Sequence, residues 1–337
     1  MGQRDRGAGQ MTSINAFLEA AGWADADQTA LAGDASSRRY IRLYQKGKRA
    51  ILMVDPQDDT ARFASMARHL NAIGLSAPDI LAHDGGVMII EDFGDDQFAT
   101  VIQSDPDQEV MLYRAAVDVL CWLEAADIPT GLNTPTPRDW ADIIEPVFTD
   151  YLPVFSVQAG EVQQELIERL GDALETHLPT EKVLVLRDFH AENMIWLPER
   201  VGVKRVGLLD FQDALIGPPI YDLVSMLQDA RRDVSAACFD QTLAHYAEVS
   251  GRSMDTILPA FHLLGLQRNL RILGVFARLN RTTGKTKYAQ LLPRVRGHVH
   301  TSLLSPAAAA LAPLIEKMFP NPTPEQMKKI KALCPTP

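Results

Sequence analysis

The run Leu186-Arg187-Asp188-Phe189-His190-Ala191-Glu192-Asn193 sets an amide five residues after a carboxylate, and Asp210-Phe211-Gln212 puts a second carboxylate 17 residues beyond Asn193. Both carboxylates follow apolar, strand-like runs, Val183-Leu184-Val185-Leu186 and Val206-Gly207-Leu208-Leu209. Carboxylate, amide and carboxylate in this order are the parts that phosphoryl transfer needs. One carboxylate orients an attacking hydroxyl and takes its proton. The other, with the amide oxygen, suits Mg2+, a hard cation that takes oxygen ligands. Such an ion bridges nucleotide phosphate oxygens and offsets the charge developing on them. Asp188 is therefore the expected base, and Asn193 and Asp210 the expected Mg2+ ligands. The plainer alternatives are an Asx-bonded turn for Asp188 with Asn193 and a helix N-cap for Asp210.

These groups need elements that hold them. Short strands with a polar loop between them, over residues 183–213, interrupt a stretch that is otherwise helical. That arrangement presents side chains at a cleft better than it builds a core. Upstream, Tyr40-Ile41-Arg42-Leu43-Tyr44 and Ala50-Ile51-Leu52-Met53-Val54 read as strands of a hairpin turning at Gly47. Residues 59–73 carry Phe63, Met66, Ala67, Leu70 and Ile73 at helical spacing, closed by Gly74, and strand-like runs follow at 80–81 and 87–90. After Asp92-Phe93-Gly94-Asp95-Asp96 the pattern turns helical, with helices through Leu112–Leu123, over 162–177, and again after Tyr221. Residues 12–32 read as a short helix and a turn, and residues 1–10 as a polar, disordered lead-in. Trp122, Trp140 and Trp196 read as core, with sugar stacking as the alternative.

Length and composition bound the rest. A chain of 337 residues, 46% hydrophobic and 23% charged, suits a soluble protein of two domains or one bilobal unit. Lys and Arg number 33 against 43 Asp and Glu, a formal net charge of −10. Such a balance argues against a protein whose main business is gripping nucleic acid or an anionic membrane. No apolar run approaches the roughly 18–20 residues of a membrane span. Cys121, Cys238 and Cys334 are scattered and form no CxxC pair, which argues for a reducing cytoplasm and against a disulfide framework or a zinc site. No obligate protein partner is expected.

The ordered motifs resemble the protein-kinase-like superfamily, in its aminoglycoside-phosphotransferase and choline-kinase branch. The protein-kinase pattern is His-Arg-Asp, four residues, Asn, then Asp-Phe-Gly. Here it reads Leu186-Arg187-Asp188, four residues, Asn193, then Asp210-Phe211-Gln212, with Gln in the glycine's place. The likeness continues through Gly217-Pro218-Pro219-Ile220-Tyr221-Asp222-Leu223 and implies that Asp222 braces the catalytic loop from behind. The implied fold is α+β and bilobal. A small β-rich lobe over residues 11–92 would bind the nucleotide. A larger helical lobe over 93–337 would carry the catalytic loop (186–193) and the metal-binding Asp-Phe-Gln (210–212). Backbone groups of Ile90, Glu91 and Asp92, where the hinge falls, would hold the adenine of ATP.

Within that branch the same runs look like the anomeric sugar kinases of bacterial peptidoglycan recycling, the N-acetylmuramate/N-acetylglucosamine 1-kinases. Gly33-Asp34-Ala35-Ser36-Ser37-Arg38-Arg39-Tyr40 and Gln228-Asp229-Ala230-Arg231-Arg232-Asp233 add to the likeness. It implies ATP-dependent phosphorylation of the C1 hydroxyl of an N-acetylated amino sugar. His190, Arg231 and Arg232 are candidate sugar contacts, an Arg suiting the lactyl carboxylate of N-acetylmuramate; a solvated loop residue and a basic helix end are the competing readings. Kinases of other hydroxyls (aminoglycoside, choline or homoserine-like) and a nucleotide-binding pseudokinase stay open.

One departure is specific. Protein kinases grip the α- and β-phosphates with a third-strand Lys paired to a helix Glu. Ile51-Leu52-Met53-Val54-Asp55 has no Lys, and residues 59–73 contain no Glu. The expected substitutes are Arg39 and Arg42, with the Ser36 and Ser37 hydroxyls and the backbone N–H groups of the 33–38 loop as a phosphate nest.

Overall fold

The computed structural model describes residues 14–31, 38–57, 60–319 and 323–332. The 1–10 lead-in, Ser36, Ser37 and Cys334 lie outside the described residues. The chain forms two compact units: one is the chain through Pro106 together with Glu192–Gln212, the other Asp107–Ala191 together with Asp213 onward.

The first unit opens with α1 (residues 14–20), β1 (Asp27–Ala30), β2 (Arg39–Gln45), β3 (Lys48–Val54), α2 (Thr60–Ala72), β4 (Ile80–Asp84), β5 (Val87–Glu91) and α3 (Phe98–Ser104). The sheet is antiparallel in the order β1-β2-β3-β5-β4. Lys46 and Gly47, both left-handed at φ 50° and 78°, close the β2–β3 hairpin, as a tight two-residue turn requires. Alternation then sorts the side chains. Leu43, Ala50, Leu52, Val54 and Ile89 pack with Phe17 and Leu18 of α1, leaving Tyr40, Arg42, Ile51 and Ile90 for the other face. The residue 12–32 segment thus holds a strand, β1, as well as the expected helix. All four β1 residues are exposed, so no alternation betrays it.

The second unit follows with α4 (Glu109–Ala125), α5 (Pro137–Asp142), α6 (Val162–His177) and β6 (Val183–Val185). The chain then returns to the first unit as the ribbon of β7 (Met194–Trp196) and β8 (Val206–Leu208). Hydrogen bonds explain this return: Leu208 N–H donates to the Ser76 carbonyl at 2.7 Å, and Trp196 N–H to the Asp96 carbonyl at 2.7 Å. The first compact unit thus runs past residue 92 and takes in α3 and the ribbon.

The remainder of the second unit is β9 (Leu215–Gly217), antiparallel to β6, then α7 (Tyr221–Leu227), α8 (Ala236–Ser250), α9 (Met254–Thr283), α10 (Lys287–Leu303), α11 (Ala312–Met318) and α12 (Pro324–Ala332). Ser253 caps α9 by accepting the Thr256 N–H at 3.3 Å, and Gly284, at φ 67°, ends it. Trp140 is buried against Tyr221, ring centroids 4.7 Å apart, whereas Trp122 is 46% exposed. Trp122 falls off the stripe of Leu112, Ala116, Val119, Leu120 and Leu123 that α4 buries. Among the described residues no helix is long and apolar enough to cross a membrane.

Candidate active site

In the first unit, the sheet face left by alternation and the β7–β8 ribbon enclose a cavity of about 410 Å³. Its walls are apolar where Ile51 and Ile90 face it from the sheet and Ile195 and Leu209 from the ribbon, and polar where Tyr40, Asn193 and Asp210 reach it. Flat apolar walls suit a purine and a polar end suits phosphate, so the residues present fit a nucleotide.

Chain geometry aims Asp210 at the polar end. Phe211 is fully buried and stacks on Phe63 of α2, centroids 4.9 Å apart, which fixes the segment after β8. Asp210 itself takes φ 59°, a left-handed conformation that lets one residue turn out of a strand. Leu209 N–H donates to the Asn193 carbonyl at 2.9 Å, and Asn193 Nδ2 lies 3.4 Å from Asp210 Oδ2. A carboxylate and an amide held side by side are hard oxygen donors that suit Mg2+. Gln212, in the place of the motif glycine, donates from Nε2 to Asp210 Oδ1 at 2.7 Å, a contact sequence reading did not assign.

The hinge residues Ile90, Glu91 and Asp92 all line the cavity. The Glu91 N–H, however, donates to the Asp79 carbonyl at 2.8 Å, and the Glu91 side chain accepts from Arg200 Nη2 at 2.5 Å. Its amide is thus committed within the sheet instead of offered to adenine. Arg42 also lines the cavity, but its guanidinium bridges Asp92 at 3.1 Å and Asp95 at 2.9 Å, and these two carboxylates hold it by the hinge segment. Arg39 is exposed and one residue out of register with the cavity-facing Tyr40 and Arg42.

The second unit carries Asp188. The loop begins at Arg187, left-handed at φ 73°. Asp222, on α7 and 2% exposed, accepts from the Leu186 N–H at 2.6 Å and the Arg187 N–H at 2.9 Å. Burial pushes its carboxyl up to about 7 against the pull of those two amides, with Asp188 adding to the rise. Ser225 on the next turn donates to the Arg187 carbonyl at 2.9 Å. Asp188 is half-buried, its N–H bonded to the Leu186 carbonyl at 2.9 Å.

His190 is 2% exposed and is held neutral: burial lowers its pKa well below the usual imidazole value, helped by Arg231 and Arg268. Arg231 N–H donates to Asp229 Oδ1 at 2.8 Å. Arg232 is spent elsewhere, its Nη1 on the Tyr113 hydroxyl at 2.7 Å and its Nη2 on Glu109 at 2.9 Å, which ties the segment after α7 to α4. Sequence reading did not single out Arg268. Its Nη2 donates to Ser225 at 2.8 Å, while its Nη1 and the Oδ2 of buried Asp229 have no hydrogen-bond partner among the described residues. A buried donor and a buried acceptor left unbonded cost about 1–3 kcal/mol each.

Comparison with known proteins bears on this arrangement. Residues 27–257 match the phosphotransferase enzyme family. An N-acetylmuramate/N-acetylglucosamine kinase of Caulobacter vibrioides is 35% identical, the alignment covering 91% of this chain and 96% of that one. A kinase of the same name from Pseudomonas aeruginosa is 28% identical over 89% of this chain and 91% of its own. Among solved structures, a choline kinase of Streptococcus pneumoniae superposes with a TM-score of 0.62 at 12% identity, covering 87% of this chain and 99% of its own. A choline/ethanolamine kinase family protein of Mesorhizobium loti does so at 0.56 and 16%, covering 96% and 99%. At such identities the structures speak for the fold alone: a small antiparallel sheet followed by a largely helical remainder. The family match takes in more than half of the residues and the Caulobacter relative aligns nearly end to end, and on both counts this chain belongs to the phosphotransferase enzyme family.

Proposed function

We propose that this chain is a cytoplasmic, ATP-dependent kinase that phosphorylates the C1 hydroxyl of N-acetylmuramate and N-acetylglucosamine, a step of peptidoglycan recycling. The observation that carries the substrate is the 35% identity, across 91% of the chain, to a kinase named for those sugars. The cavity beside Asn193 and Asp210 supports ATP as the donor. Buried Asp229 and Arg268 support a hydroxyl-rich acceptor, and the arginines near His190 disfavour a polycationic one.

In this reading Asp188 orients the C1 hydroxyl and takes its proton as the oxygen–γ-phosphorus bond forms. The bond from γ-phosphorus to the bridging oxygen breaks, and ADP leaves. Asn193 and Asp210 hold Mg2+, which when bound neutralises charge on the phosphates. Asp222 keeps the 186–188 backbone in place.

Turnover of ATP with each sugar, with and without Mg2+, tests this. Mg2+-dependent phosphorylation of either sugar is expected. Asp188→Ala should lower kcat by about 10²–10⁴ and leave the affinity for a non-hydrolysable ATP analogue within about twofold. Nucleotide binding without turnover would instead make the chain a pseudokinase. Turnover with an aminoglycoside or choline and with neither sugar would move the acceptor class.

A further inference from the structure

A triphosphate brings several negative charges into the cavity, yet β3 offers it no lysine beyond Lys48, which is exposed at the hairpin end of the strand. Met53 of β3 is fully buried and directly across the ladder from Tyr40. Arg42, which lines the cavity, is paired with Asp92 and Asp95, and Arg200 of the same unit with Glu91. Arg39 is exposed.

Arg38 differs. Its Nε donates to Asp55 Oδ2 at 2.8 Å, and the two side chains are only 9% and 3% exposed. The register explains the pairing: Arg39 lies opposite Val54, so Arg38 and Asp55 meet one step further along the same β2–β3 ladder. Asp55 is itself held, its N–H on the Gly86 carbonyl at 2.8 Å and its Oδ1 on the Gln57 N–H at 2.9 Å. Tyr40 follows two residues on, on the same face, close enough for the Arg38 charge to act on its phenol. Tyr40 lines the cavity together with Asn193 and Asp210, close enough to Asp210 for that charge to act on its phenol.

We propose that Arg38, braced by Asp55 and flanked by the Tyr40 hydroxyl, grips the phosphates of the bound nucleotide in place of the absent lysine. The proposal rests on the reading of the cavity as an ATP site. The Arg–Asp pair reproduces the logic of a Lys–Glu pair with different residues from different elements. A carboxylate behind the cation fixes its direction, and a planar guanidinium with five N–H donors binds a carboxylate and a phosphate at once. Tyr40, kept protonated by burial, adds an O–H donor for a phosphate oxygen.

Calorimetric titration of the full chain in Mg2+ with a non-hydrolysable ATP analogue, ADP and adenosine tests the grip. Arg38→Gln should weaken the analogue about 10- to 100-fold and ADP by less, and leave adenosine within twofold, since charge-assisted bonds to phosphate are what is lost. Arg38→Lys should recover part of the loss, and adding Met53→Lys to Arg38→Gln should recover more. The proposal is overturned if folded Arg38→Gln binds the analogue within twofold of wild type. It is overturned equally if adenosine weakens in parallel, because that marks a general disturbance of the cavity. Should wild type itself fail to bind the analogue, the ATP reading falls first and this inference with it.

Discussion

Two backbone amides, those of Leu186 and Arg187, converge on one buried carboxylate, Asp222. An amide side chain of the same shape can accept from one of them only and turns its own N–H₂ toward the other. Asp222→Asn should therefore leave a buried donor unbonded and lower stability by about 1–3 kcal/mol, with a fall in kcat as the loop loosens. Equilibrium denaturation together with kcat checks this; a variant of wild-type stability would show that the loop is held by other contacts. The adjacency of Asn193 and Asp210 and the hold of Asp222 on the 186–187 amides were legible because these residues sit in motifs of fixed spacing within 186–223. The partners of Arg42 and Arg232, the commitment of the Glu91 amide, and the Arg38–Asp55 and Asp229–Arg268 groups were not. Each arises between residues far apart in the chain, where only strand register or helix packing decides who meets whom.

Among the elements, the β7–β8 ribbon packs closely on one residue of the cavity wall, Phe93. A Cβ at Gly207 would come within 2.7 Å of the Phe93 ring and 3.1 Å of Leu197, and Phe93 borders the cavity with Arg200 stacked over it. Gly207→Ala should push Phe93 toward the nucleotide space, cost about 1–3 kcal/mol of stability, and raise the KM for ATP several-fold with kcat at saturating ATP retained. Unchanged KM would mean that Phe93 has room to retreat. Elements were readable from sequence in proportion to their amphipathicity. The α6 bounds at 162 and 177 followed from its one-sided burial of Leu166, Leu170 and Leu174, and the β2–β3 hairpin from alternation around Gly47. Polar β1 and three-residue β9 give no such signal, and the return of the ribbon to the first unit depends on hydrogen bonds that leave no trace in composition.

For the whole molecule, pH acts through groups buried in the second unit. Burial is the main cause that lowers the pKa of His190, His262 and His298. Unfolded, each takes a proton near 6.5; folded, they resist it. Their contribution is thus present above pH 6.5 and is lost as the pH falls. Asp222 and Asp229, raised by burial, act in the opposite sense, holding protons in the folded chain that the unfolded chain has released above about 4. His190→Gln removes one histidine from this set, so its urea midpoint at pH 5.5 relative to pH 7.5 should be higher than that of wild type. An unchanged ratio of the two midpoints would contradict this role for buried His190.

Arg187 and Asp210 both hold a backbone shape that glycine adopts without steric cost, at about 1 kcal/mol each. Directed evolution toward heat resistance would accordingly favour glycine at both positions, erasing the proposed Mg2+ ligand Asp210 and loosening the loop of the proposed base Asp188, so a thermostable variant library screened without its substrate would enrich for chains that the proposed mechanism makes inactive.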